Sequence, residues 1–139
     1  MNTYKRLTPC IFIQDGKAVK WFNNSEIISD DVVELARQYC ESDAKELVVF
    51  DLSETDEQHD IAIDLIKINR EIHIPMLAGG NVKRLEDAKK ILYAGAKYVI
   101  INPLKDNFSD MINDVSMRFG KDKIAISVDK MDPSVVEKY

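Results

Sequence analysis

Cysteine is scarce: Cys10 and Cys40 are the only two in 139 residues. Two cysteines with no nearby histidine and no metal-type spacing make neither a disulfide framework nor a thiolate metal site. They read as small core residues of a reduced, cytoplasmic protein. Histidine is equally sparse. His59 and His73 share no motif, and each reads as a surface or helix-end residue rather than a base or ligand. No residue pattern calls for a metal or an organic cofactor, so neither is expected.

No apolar run approaches the length needed to cross a bilayer, and Met1 to Arg6 lacks the apolar region of a signal peptide. A membrane partner is therefore not expected. Basic charge is also short. The net charge of -5 and the pI near 5.0 argue against a nucleic-acid partner, which calls for a concentrated basic patch. The densest basic stretch, Lys83-Arg84 with Lys89-Lys90, is broken by Glu86 and Asp87 and reads as a solvated helix face. No Gly-x-Gly-x-x-Gly follows the first strand, which leaves a dinucleotide site without its fingerprint.

What is present is a hydrophobic fraction of 45%, enough for one globular domain over residues 1–139. Leu7 to Ile13 reads as a strand. Apolar residues on both sides of Asp15-Gly16 signal a hairpin that carries Lys20, with Asn23-Asn24-Ser25 as loop. Ser29 or Asp30 caps a helix to about Ser42, with Val32, Leu35, Ala36, Tyr39 and Cys40 on its apolar face. Leu47 to Phe50 is a short apolar strand ending at Asp51. A second helix follows Ser53-Glu54-Thr55-Asp56 and buries Ile61, Leu65, Ile68 and Ile72. Strands at Ile74–Ala78, Tyr98–Ile101 and Ile124–Val128 alternate with helices at about Leu85–Ala94 and Phe108–Phe119, the latter with Met111, Ile112, Val115 and Phe119 inward. A last helix begins near Pro133.

Strands that recur about every 25 residues, each followed by a helix, imply βα units and a parallel sheet. Such an α/β chain puts its chemistry at the C-terminal ends of the strands. Asp51, Gly79-Gly80-Asn81, Asn102 and Asp129 all fall there. Small residues before a helix N-terminus can cradle a phosphate. The same residues also make an ordinary tight turn. Asp51 is a candidate substrate contact, or a cap at the rim.

The order Pro9-Cys10-Ile11, Asp15-Gly16-Lys17-Ala18-Val19-Lys20, Glu46 to Asp51, Gly79-Gly80-Asn81-Val82-Lys83, Glu86-Asp87-Ala88, Ile101-Asn102 and Val128-Asp129 resembles the N-terminal half of the histidine-biosynthesis barrels. These are the cyclase subunit of imidazole glycerol phosphate synthase and the related ribotide isomerase. The resemblance implies a TIM-barrel-type half barrel of about five parallel strands and four helices. It implies a phosphoribosyl ligand, with Gly79, Gly80, Asn81 and Asn102 forming one phosphate site. It implies Asp129 as a catalytic acid or base and Lys20 as a positive charge near the substrate. Two departures bear on chemistry. Phe12 stands where the family carries its first-strand catalytic Asp, and Asn81 stands where it carries a third glycine. Phenylalanine moves no proton, and such steps are worth about 10²–10⁴-fold each.

The leading expectation is therefore a histidine-biosynthesis phosphoribosyl-binding barrel domain with impaired catalysis. The chain also resembles the diverged accessory barrels that, in some bacterial proteins, precede phosphoribosyl-AMP cyclohydrolase and phosphoribosyl-ATP pyrophosphohydrolase modules. The alternatives are an active isomerase or cyclase that uses Asp129 with a displaced acid such as Asp15, and a structural half barrel that mediates assembly without a ligand. A closed barrel takes eight strands and about 250 residues. Half of one leaves open sheet edges, so a second half barrel or further domains are expected as partners.

Overall fold

The computed structural model describes residues 8–22, 24–42, 44–69, 74–102 and 107–126. The chain begins with β1 (Cys10–Gln14), β2 (Lys17–Trp21) and β3 (Asn24–Ser29). Next come α1 (Val32–Glu41), β4 (Leu47–Asp51), α2 (Asp56–Asn69), β5 (Met76–Gly79), α3 (Leu85–Tyr93) and β6 (Tyr98–Ile101). α4 (Phe108–Phe119), a short 3₁₀ turn and β7 (Ile124–Ile126) complete the described elements. All seven strands form one sheet in the order β3-β2-β1-β4-β5-β6-β7. β1, β4, β5, β6 and β7 run parallel, and β2 and β3 are antiparallel additions. Five parallel strands and four helices are the half-barrel content that the sequence implies.

Turn chemistry sets the hairpin. Asp15 and Gly16 have φ of 54° and 75°, two successive left-handed residues, as a two-residue hairpin turn requires. The register then pairs Phe12 with Val19, Ile13 with Ala18 and Gln14 with Lys17. The third strand was not expected, since Asn24 and Ser25 read as loop. β3 is an exposed edge strand, and its pairing with β2 shifts register twice. Its two isoleucines, Ile27 and Ile28, are adjacent and both exposed, so the edge carries no alternating signal.

The pleat divides the sheet into two faces. Ile11, Ile13, Leu47, Val49, Met76, Ala78, Val99 and Ile101 face the helices and form the main core with Val32, Ala36, Ala62, Ile66, Ala88, Ile91, Met111 and Val115. On the opposite face Phe12 stacks on Phe50, with ring centroids 5.6 Å apart and planes 11° apart. Trp21 and Phe22 fold over this pair from the hairpin, with centroids 5.1 and 4.8 Å from Phe12. Phe12 is left 4% exposed.

Three local expectations need correction. α1 is capped by Asp31 rather than Ser29 or Asp30: its carboxylate accepts from Glu34 N at 3.0 Å. Ser29 instead braces the cap by accepting from Asp31 N. α2 is rotated by about one residue from the expected stripe. Ile61 is 48% exposed, whereas Ala62 and Ile66 are fully buried. Their helical spacing brings His59 onto the same inner face. The two cysteines are not core residues either: Cys10 is exposed and Cys40 half-buried. Desolvation raises the Cys10 thiol above its ordinary value, which disfavours the nucleophilic thiolate. Ile72, His73 and the helix expected from Pro133 lie outside the described residues, as does the side chain of Ile68.

Removing the central ring tests the second face. Phe12→Ala should lower unfolding stability by about 3 kcal/mol, in the range of large-to-small core changes, measured by urea denaturation followed by circular dichroism.

Candidate functional site

The C-terminal ends of β4 and β5 meet in a turn that only glycine permits. The pairing of Phe50 with Gly79, extended by one residue, sets Gly80 level with Asp51. Gly80 has φ of 83°, and a Cβ on it would overlap the Asp51 carbonyl oxygen and stand 2.8 Å from the Asp51 nitrogen. Gly79 is confined by the next strand, because its Cβ would lie 2.7 Å from Ile100 Cβ. Asn81 follows at φ 54°, a second left-handed residue. Its side chain is fixed: Nδ2 donates to the Ser53 carbonyl at 2.6 Å and to Ser53 Oγ at 3.1 Å. Asn102 follows the end of β6, the strand that pairs with β5.

Asp51 anchors this corner. It shares the pleat side of Leu47 and Val49 and is 2% exposed. Its Oδ1 accepts from Ser53 N at 2.9 Å and from Ser53 Oγ. Its Oδ2 accepts from His59 Nδ1 on α2. Both oxygens are thus engaged on the helix side of the sheet. The His59 side chain is 12% exposed, and its Nε2 is buried without a partner. His59 was expected at the surface or a helix end. It went unrecognised because a polar residue in an amphipathic helix is assigned outward by default. The one available signal was its spacing to Ala62 and Ile66.

The entrance to α3 is organised by Asp87, which is 6% exposed. Its Oδ2 accepts from Lys83 N at 3.0 Å and Arg84 N at 3.1 Å. Two of the free donors of a helix start are therefore already satisfied by an acid of the chain itself. A cavity of about 230 Å³ opens above this corner, walled by Ser53, Thr55, His59, Asn81, Lys83 and Arg84 among others. The remaining candidates lie apart. Lys20 sits on the hairpin in an exposed pair with Glu26 at 3.6 Å. Asp15 stays in the hairpin turn, where its carboxylate accepts from Gln58 Nε2. Asn102 is exposed just beyond β6, and Asp129 lies outside the described residues.

The model of the family described as "Histidine biosynthesis protein" matches residues 6–138. The chain belongs to that family. It is 38% identical over 131 residues to the imidazole glycerol phosphate synthase subunit HisF of a Synechocystis species, covering 93% of this chain and 50% of that protein. The subunit of the same name from Methanococcus maripaludis is 38% identical over 127 residues, which is 90% of this chain and 47% of that protein. That from Exiguobacterium sibiricum is 35% identical over 128 residues, 90% of this chain and 51% of that protein. The chain thus spans about half the length of the relatives it matches. As a histidine-biosynthesis barrel chain, it carries its parallel strands and covering helices as part of a TIM-type barrel. Among the described residues no helix is long and apolar enough to cross a membrane.

Gly80→Ala tests the corner. It combines a disfavoured φ with overlap on the β4 backbone, and should cost about 2 kcal/mol or more of stability by urea denaturation. Gly16→Ala should cost less, since its Cβ would meet only Ile61 Cγ2 at 3.4 Å.

Proposed function

We propose that this chain is a phosphoribosyl-ligand-binding barrel domain of histidine biosynthesis in which the family's acid–base catalysis is impaired. The observation that carries the binding half is the corner itself. Gly80 and Asn81 form a left-handed turn at the end of β5, and Asn102 follows the end of β6, the next parallel strand. A phosphate held there would use main-chain donors of the turn together with Asn102. It would not use the Lys83 and Arg84 N–H groups, which Asp87 occupies. Lys83 and Arg84 stand on the cavity wall beside Glu54, Asp56 and Asp87, so the reading rests on the turn and not on the charge of the wall.

Phe12 supports the impaired half of the reading. The resemblance puts the partner acid of Asp129 at this position, and the ring here is buried in an aromatic stack. No carboxylate among the described residues takes that place. Asp15 is committed to Gln58 at the far end of the hairpin turn. Asp129 then keeps one half of a two-group mechanism, and Lys20 keeps a charge without the acid it would assist. Further βα units, supplied by the same chain or a second half barrel, are the partners that would cover the Phe12–Phe50 face.

Two measurements test this. Thermal unfolding with ribose 5-phosphate should show stabilisation that grows with ligand, about 1.4 kcal/mol at ten times Kd. No stabilisation by millimolar ligand would favour assembly without binding. Isomerase and cyclase assays should show no turnover above background, alone or with a complementing C-terminal half. Robust turnover abolished by Asp129→Asn would overturn the impaired reading.

A further inference from the structure

One polar group on the buried face of α2 is not explained by packing. His59 shares that face with Ala62 and Ile66, which are fully buried. Its Nδ1 donates to Asp51 Oδ2, while Nε2 is enclosed with no hydrogen-bond partner among the described residues. A buried nitrogen without a partner costs about 1–3 kcal/mol, and an apolar side chain of similar volume facing a second apolar group would avoid that cost. The pair is therefore a poor device for stability alone.

Its connections lead to the turn. His59 Nδ1 donates to Asp51 Oδ2, and Asp51 Oδ1 accepts from the Ser53 nitrogen and hydroxyl. The Ser53 hydroxyl, having donated its proton to Asp51, can only accept from Asn81 Nδ2, which also reaches the Ser53 carbonyl. Every donor in the series has an acceptor: Asn81 donates to Ser53 and Ser53 to Asp51, while His59 donates to Asp51 from the other side, so the bonds converge on one carboxylate. The series ends on Asn81, a non-glycine residue with φ of 54°. Asparagine tolerates that conformation better than most residues, and side-chain bonds that reward it hold the turn in one state.

We infer that His59 and Asp51 are positioning residues for the Asn81 turn: they orient Ser53, and Ser53 orients Asn81, so that the turn presents a fixed anion cradle. This rests on the proposal that the turn binds phosphate. It reassigns Asp51 from substrate contact to internal support and gives His59 a role that nothing in its sequence context announced. The unpartnered Nε2 is what remains when an imidazole is kept for its Nδ1–H.

The test uses the 15N-labelled chain and two variants. In the wild type, the imidazole nitrogen shifts should report the Nδ1–H tautomer; an Nε2–H tautomer overturns the inference without any variant. His59→Leu should move the Asn81 side-chain amide signals and weaken ribose 5-phosphate binding about tenfold, the equivalent of one lost hydrogen bond. His59→Asn, which offers a donor near the place of Nδ1, should restore both. A purely structural role predicts lower stability in both variants with the Asn81 signals unmoved, and that result overturns the inference. If the wild type binds no ribose 5-phosphate, the phosphate reading fails, and the Asn81 signals still decide whether the pair positions the turn. If His59→Leu does not fold, the wild-type tautomer and the His59→Asn signals decide: Asn81 signals displaced in His59→Asn, with its fold intact, overturn the inference.

Discussion

At the ends of β4 and β5 the two backbones approach so closely that Gly80 has room for hydrogen and nothing larger against Asp51. Much of the corner depends on this approach. It requires glycine at position 80, and the glycine turns the chain into the left-handed region, where Asn81 follows it. It brings the Asn81 side chain to Ser53, which otherwise belongs to a separate loop. The turn then delivers the chain to the start of α3, where Asp87 collects the next two N–H groups. A single steric condition therefore links two βα units that hydrogen bonds between strands alone would leave free to slide.

The electrostatics of the corner follow from its burial. Asp51 is nearly inaccessible, and a buried carboxylate is tolerated only when its oxygens are paired. Here one oxygen serves the local Ser53 turn and the other reaches a helix fourteen residues long. The first bond shapes the loop. The second ties the end of β4 to the face of α2 that also buries Ala62 and Ile66 and leaves Ile61 half-exposed. Ala62 lets the helix come close enough for His59 to reach the end of β4. The polar pair and the small residue belong to one solution.

The features legible in the sequence were those written locally. Asp15-Gly16 specifies its turn through φ, and the short apolar strands specify burial on both faces, so the hairpin and parallel strands were readable without knowing their neighbours. The family resemblance, carried by motifs spread over nearly the whole chain, agrees with the match to residues 6–138. What was not legible depends on which neighbour each residue meets in the fold. The inner face of α2 is chosen by a bond to Asp51, eight residues earlier. β3 exists because β2 offers it an edge, and its own exposed residues carry no pattern. Asn81 looked like a weakened glycine, yet its side chain makes two bonds that glycine could not.

The two faces of the sheet now carry different kinds of evidence about chemistry. The helix side holds a fully connected polar corner with one nitrogen to spare. The other side, at the Phe12 position of β1 where the resemblance calls for an acid, holds stacked rings. Aromatic stacking of Phe12 on Phe50, with Phe22 edge-on to both at 4.8 and 5.1 Å, is worth more than burial alone. Such a cluster is a cooperative replacement and not a single lost group. Restoring a carboxylate at position 12 would bury a charge among three rings, so the acid cannot return without changes at Phe22 and Phe50 as well. The turn proposed to hold an anion and the aromatic stack at Phe12 draw on different residues, so neither constrains the packing of the other.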